Sequence, residues 1–122
     1  MDQSEALAVF ESLSSGIRLD VFRLLVKAGP QGAVAGEIAA ALDVAPSSLS
    51  FHLKALTQSR LLTVEQEGRF LRYRANLAVI DGVIAFLTED CCNGMPEACA
   101  SVKAVRTRLP GCMPLPDPES QA

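Results

Sequence analysis

The sequence predicts a mainly α-helical domain with one small β-hairpin, in which two short central helices form a helix-turn-helix. Three observations carry this expectation. Of 122 residues, 49% are hydrophobic, and with five phenylalanines, one tyrosine and no tryptophan that content is mostly Ala, Leu and Val, enough for one core of closely packed helices. Apolar residues recur at helical spacing in five stretches separated by Ser, Gly, Pro or Asp breaks. Between the fourth and fifth stretches the period changes to two, the spacing of a strand.

Residues 4 to 12 set Leu7, Phe10 and Leu13 three apart beside Ala6 and Val9, an amphipathic helix too short to stand alone. Ser14-Ser15-Gly16 interrupts it, and a second helix carries Ile17, Leu19, Val21, Phe22, Leu24, Leu25 and Val26 to the stop at Gly29-Pro30. From Val34 to Leu42, a third stripe holds Ile38, Ala41 and Leu42, with Glu37 in the first turn, where a carboxylate meets free backbone N–H groups. Val34 stands at the cap, where Ser or Thr would serve better. Asp43-Val44-Ala45 breaks the chain before Pro46, whose fixed φ suits the first position of a fourth helix running to about Gln58. The close spacing of these two helices reads as helix-turn-helix. The runs 61–66 and 69–74, joined through Glu67-Gly68, form the hairpin. Asn76 caps a final helix with the stripe Leu77, Ile80, Val83, Ile84 and Leu87, ending near Asp90. The expected order is four helices, two strands and a fifth helix.

The organisation predicted is a helix-turn-helix domain over residues 1–90, a cysteine-containing segment over 91–109, and a mobile tail over 110–122. That tail holds four prolines in nine residues from Pro110 to Pro118. The N-terminus is acidic, and no run approaches the roughly eighteen apolar residues of a membrane span, so a cytoplasmic protein without a membrane partner is expected. Four cysteines in 122 residues are too sparse for a disulfide-held fold, which leaves the thiols in need of another explanation.

The net charge is −3, from eleven basic and fourteen acidic side chains. Its distribution matters more than its sum, because Lys54, Arg60, Arg69, Arg72 and Arg74 fall within 21 residues. A helix that enters the major groove needs small or hydrogen-bonding side chains on its leading face. Ser47, Ser48, Ser50 and His52 in the fourth helix meet that need, Lys54 can reach phosphate, and Leu49, Leu53 and Leu56 face the core. Phe51 fits neither role cleanly and is placed at the groove margin. The hairpin supplies Arg69 and Arg72 or Arg74 for the backbone or the minor groove. The competing account is that the three serines are merely solvated; the basic hairpin beside them favours double-stranded DNA.

Residues 13 to 90 resemble the ArsR/SmtB family of winged-helix metalloregulatory repressors. The resemblance is carried by Ser15-Gly16-Ile17-Arg18, by Glu37-Ile38-Ala39, by the run from Ser47 to Leu56 (Ser-Ser-Leu-Ser-Phe-His-Leu-Lys-Ala-Leu), and by Gly68-Arg69-Phe70-Leu71-Arg72-Tyr73-Arg74. It implies a winged helix-turn-helix homodimer whose first and last helices pair, which places Leu7, Phe10, Leu77, Ile80, Ile84 and Leu87 at the subunit contact. It also implies two recognition helices on an imperfect inverted repeat in operator DNA, and repression relieved by an inducer. The chain departs from the family at Ala45-Pro46, where a Ser-Gln pair is common, so Ser47, Ser48, Ser50 and His52 carry more of the specificity.

Cys91 and Cys92 are adjacent, and Cys99 follows across a loop containing Gly94 and Pro96. Thiolates suit soft ions, and trivalent arsenic or antimony takes three sulfurs in a pyramid. A structural account makes Cys91 a buried residue at a helix end and the others incidental. The Cys-x-Cys pair that arsenic and cadmium sensors of the family carry in the third helix is absent from Gly36-Glu37-Ile38-Ala39-Ala40, and the final helix has carboxylates but no histidine for an interhelical zinc site. What remains resembles arsenic-responsive repressors whose ligands follow the last helix, which implies As(III) as inducer at Cys91, Cys92 and Cys99, with antimonite and methylarsenite as related ligands. Cys112 is a candidate fourth sulfur for Zn²⁺ or Cd²⁺, and a Cys91 or Cys92 disulfide to Cys99 would make a redox switch. No organic cofactor is expected. An enzyme is disfavoured by a single histidine with no acid positioned beside it and no Cys-x-x-Cys pair; a non-DNA interaction module of the same fold is the other rival.

Overall fold

The computed structural model describes residues 1–89. Cys91, Cys92, Cys99 and Cys112, and with them the segments 91–109 and 110–122, lie outside the described residues.

Helix α1, Gln3–Leu13, starts where the Asp2 carboxylate accepts the Glu5 backbone N–H at 2.8 Å, and it buries Ala6 and Val9. Leu7 and Phe10 point outward instead, so the apolar stripe splits between the core and the surface. Helix α2, Gly16–Ala28, is capped by the Ser15 hydroxyl and buries Val21, Phe22 and Leu25. Arg18 ties the two helices by donating from Nε to the Ser12 carbonyl at 2.7 Å.

At Gly29 the chain turns left-handed, φ 65°, into a 3₁₀ turn over Gly29–Gln31. There follows strand β1, Ala33–Val34, which the sequence pattern did not reveal. Two residues are too few to display a period. Helix α3, Ala35–Leu42, has a one-sided cap: Glu37 accepts from the Val34 N–H at 3.0 Å, and valine has no side-chain acceptor to return the bond.

Helix α4, Pro46–Gln58, buries Leu49, Leu53 and Leu56, each contributing roughly 1.5–3 kcal/mol on burial. Strands β2, Leu62–Glu67, and β3, Phe70–Ala75, pair antiparallel from Leu62 opposite Ala75 to Glu67 opposite Phe70. Gly68, φ 61°, and Arg69 make the turn between them, so Arg69 stands at the hairpin tip rather than in the second strand. β1 adds to the other edge of β3, giving the order β1-β3-β2. The sheet therefore has three strands, one more than the expected hairpin.

Helix α5, Leu77–Leu87, buries Val83, while Leu77 and Ile80 pack at the margin of the core. Asn76 precedes it but makes no side-chain cap, contrary to expectation. Its amide donates at 2.9 Å to the carbonyl of Arg60, a residue at φ 68°, and its backbone N–H donates to Leu61 at 2.8 Å. Asn76 thus fastens the start of α5 to the corner between α4 and β2. The core joins α1, α2, α3, α4, α5 and the sheet in one cluster around Leu25, Ile38, Leu53 and Leu61. No helix among the described residues is long and apolar enough to cross a membrane.

Candidate nucleic-acid interface

The faces of α4 follow from its buried leucines. Successive side chains turn by about 100° around a helix, and Leu49, Leu53 and Leu56 fix the inner stripe. Ser47, Phe51, Lys54 and Gln58 then lie opposite, and all four are exposed. Phe51, expected at the margin, is instead central to the outward face and 68% exposed. The helical arithmetic alone places it there, since it stands two residues beyond Leu49.

Ser48 is also exposed, beside the first turn. Neither Ala45 at the cap nor Pro46 supplies a side-chain acceptor for that turn, so its amides face outward uncapped, an arrangement that favours anionic oxygen. Ser50 is exposed, but its hydroxyl donates to the Pro46 carbonyl at 3.0 Å and keeps only acceptor capacity for another partner. His52 sits on the flank nearer the core. It is half-buried, its Nδ1 is enclosed without a hydrogen-bond partner among the described residues, and its ring meets Phe51 edge to face at 5.6 Å and 75°.

The wing divides its arginines into two kinds. Arg72 Nε donates to both carboxylate oxygens of Glu67, at 2.9 and 3.0 Å, and Nη1 donates to the Gln31 carbonyl at 3.0 Å. The hydrogen bond to Glu67 raises the Arg72 pKa above its ordinary value. Arg74 donates to the Pro30 carbonyl at 2.8 Å and to Glu65 at 3.3 Å. Both guanidinium groups thus hold the 3₁₀ turn against the hairpin, and Glu65 and Glu67 offset their charge. Arg69 at the tip and Lys54 on α4 have no such bond among the described residues. Between them a groove of about 690 Å³ runs from α4 to the wing, lined by Ser50, Lys54, Gln58, Arg69, Phe70 and Tyr73 among others. Among the described residues the arrangement offers two unpartnered cations, Lys54 and Arg69, on either side of a groove beside a helix whose outer face is small, polar and, at one point, aromatic.

The same described residues contain no group of three or more His, Cys, Asp and Glu side chains placed to hold a metal ion. α1 and α5, by contrast, present apolar surface: Leu7 is 55% exposed and Leu87 62%, with Phe10 also exposed and Ile84 half-buried.

Residues 13–65 match the model of a helix-turn-helix domain family. The transcriptional repressor SdpR of Bacillus subtilis is 30% identical over 79 residues, which cover 65% of this chain and 84% of that protein. An ArsR-like transcriptional regulator from Rhodococcus superposes with a TM-score of 0.63 at 27% identity, over 84% of this chain and 92% of the other. A homodimeric winged helix-turn-helix DNA-binding domain from Mycobacterium bovis shares the fold, with a TM-score of 0.57 at 24% identity over 71% of this chain and 81% of its own.

Proposed function

This chain belongs to the ArsR/SmtB family of winged-helix transcriptional regulators, a DNA-binding regulator rather than an enzyme, and from that premise we propose that it is an arsenic-responsive repressor acting as a homodimer. The observation that carries the DNA reading is the outward face of α4, where Ser47, Ser48 and Lys54 are exposed together, with Lys54 across a groove from Arg69. In this reading Ser47 and Ser48 meet base edges, Lys54 and Arg69 meet phosphates, and Ser50 accepts rather than donates. His52 contributes through its exposed edge. Arg72 and Arg74, bonded to Glu67 and Glu65, act by holding the wing in place, so the roles expected of them in phosphate contact pass to Arg69.

The exposed apolar residues Leu7, Phe10 and Leu87 support pairing of α1 and α5 between two copies, with Leu77, Ile80 and Ile84 behind them. Two-fold symmetry would then set the recognition helices about 34 Å apart on one face of an inverted repeat.

The inducer reading rests on the sequence beyond α5. Cys91, Cys92 and Cys99 put three soft donors within nine residues, and the first follows Leu87, the last residue of α5, by four positions. Three thiolates fit a trivalent arsenic or antimony centre, which takes a pyramid of sulfurs; when bound it would tie the segment after α5 into a closed loop. A coupling of about 2.8 kcal/mol between ligand and operator would lower affinity roughly a hundredfold. The test is fluorescence anisotropy on an operator duplex selected by the protein, with arsenite, antimonite, Zn²⁺ and Cd²⁺ added in turn. Release by arsenite and antimonite alone is expected. Release by Zn²⁺ or Cd²⁺ alone would replace the arsenic reading with a metal sensor using Cys112, and absence of salt-dependent duplex binding would overturn the DNA reading.

A further inference from the structure

Phe51 is the most exposed large apolar side chain of the described residues, at 68%. Its neighbours on the outer face of α4 are Ser47, Lys54 and Gln58, so it stands as a single apolar ring among polar and cationic groups. The exposed apolar side chains of the wing, Phe70, Leu71 and Val64, line the groove beside Lys54, which Phe51 does not share, so on α4 it lacks the apolar neighbours that a protein partner would bury with it. A polyanion that shows isolated apolar groups suits these surroundings better, and the major groove of DNA shows one, the thymine C5-methyl.

We propose that Phe51 reads thymine by packing its ring against the C5-methyl in the major groove, and so is a specificity-determining residue of this regulator. Two neighbours support that role. The edge-to-face contact with His52, at 5.6 Å and 75°, restrains the ring before DNA arrives and reduces the ordering cost of the contact. Ser50 directs its hydroxyl to the Pro46 carbonyl at 3.0 Å, which removes one hydrogen-bond donor from the helix beside Phe51. Base discrimination near the middle of α4 therefore falls to an apolar contact, which distinguishes thymine from cytosine and from uracil.

The inference rests on α4 being the DNA-reading helix, and the experiment separates the two. Duplexes selected by the full chain from a random-sequence pool are rebuilt with each thymine replaced singly by 2′-deoxyuridine, which pairs as thymine does but lacks the methyl. Wild type is expected to lose about fourfold in affinity at one thymine of a half-site, the effect of one apolar carbon returned to water. Phe51→Ala should bind the thymine and uracil duplexes alike at that position, and Phe51→Leu should keep part of the difference; far-UV circular dichroism checks that both variants fold. Tolerance of deoxyuridine by wild type at every thymine, or an undiminished penalty in Phe51→Ala, overturns the assignment of Phe51 while leaving α4 on DNA. Failure of the chain to retain any duplex overturns both.

Discussion

Arg72 lies opposite Glu65 in the strand ladder but bonds Glu67, one step along the same face, through Nε at 2.9 and 3.0 Å. The diagonal choice leaves Glu65 to Arg74 and gives a wing whose two strand arginines are offset by two strand glutamates. Charge on the hairpin is therefore not spread along it. It is concentrated at Arg69, in the turn.

The first prediction separates these arginines by salt dependence. Each phosphate contact contributes about −0.9 to the slope of log K against log salt. Arg69→Ala should therefore make the slope shallower by about 0.9 for each subunit on the operator. Arg72→Ala should leave the slope nearly unchanged and instead loosen the 3₁₀ turn, read as faster amide exchange at residues 31–34. Equal slope changes in the two variants would show that Arg72 leaves Glu67 for phosphate when DNA binds.

Much of this division was legible before the structure. The five helices follow from apolar spacing, and the hairpin follows from the change of period at Leu61. What periodicity missed was decided by contacts distant in sequence. β1 exists because Ala33 and Val34 meet Tyr73 and Arg72, some forty residues on. Asn76 looks like a cap in sequence, yet its amide finds the Arg60 carbonyl, which the left-handed turn at Arg60 presents to it. The basic character of the hairpin follows from its residues alone, whereas cross-strand register determines that Glu65 and Glu67 share a face with Arg72 and Arg74. Phe51 is the opposite case, since its place on α4 was available from the wheel.

A second prediction concerns Gly32. At φ 60° it occupies a conformation that L side chains rarely adopt, and a Cβ there would collide with the Tyr73 carbonyl and come within 2.7 Å of Arg74 Cγ. The Tyr73 carbonyl belongs to backbone and cannot step aside. Gly32→Ala should destabilise the domain by about 2–4 kcal/mol, in the range of backbone-strain and overpacking mutants, measured by thermal or urea unfolding. Gly36→Ala is the control: it meets nothing within 4 Å and has no positive φ, so its stability should be close to wild type or slightly raised.

A third prediction tests the apolar surface of α1 and α5. Leu7 and Leu87 are exposed in the single chain, so charging them should leave the fold intact. In a dimer built on these helices, Leu7→Glu with Leu87→Glu would bury four unpaired carboxylates, two from each copy. Each such charge would carry a desolvation penalty of several kcal/mol. Sedimentation should show the double variant as a monomer with wild-type circular dichroism, and its operator affinity should fall steeply because two half-sites are no longer bound together. A dimer unchanged by both substitutions would place the subunit contact elsewhere.

The last prediction addresses the thiols through the order in which they fail. A three-sulfur centre loses a third of its bonds and its pyramidal closure when any one thiol is removed, so Cys91→Ser, Cys92→Ser and Cys99→Ser should each bind operator as wild type does but resist release by arsenite. Cys112→Ser should respond normally, since a trivalent centre is complete without a fourth sulfur. A tetrahedral Zn²⁺ site using all four cysteines predicts instead that Cys112→Ser fails with the others, and a disulfide switch predicts that an oxidant releases operator without any metalloid and that a thiol reductant restores it. Operator release measured by anisotropy across wild type and the four serine variants, each with arsenite, with Zn²⁺ and separately with oxidant, distinguishes all three by pattern alone. Normal arsenite release in the three variants at Cys91, Cys92 and Cys99 would remove the cluster from the sensing role and leave the DNA-reading face of α4 unaffected, because the two parts of the chain are tested by different readouts.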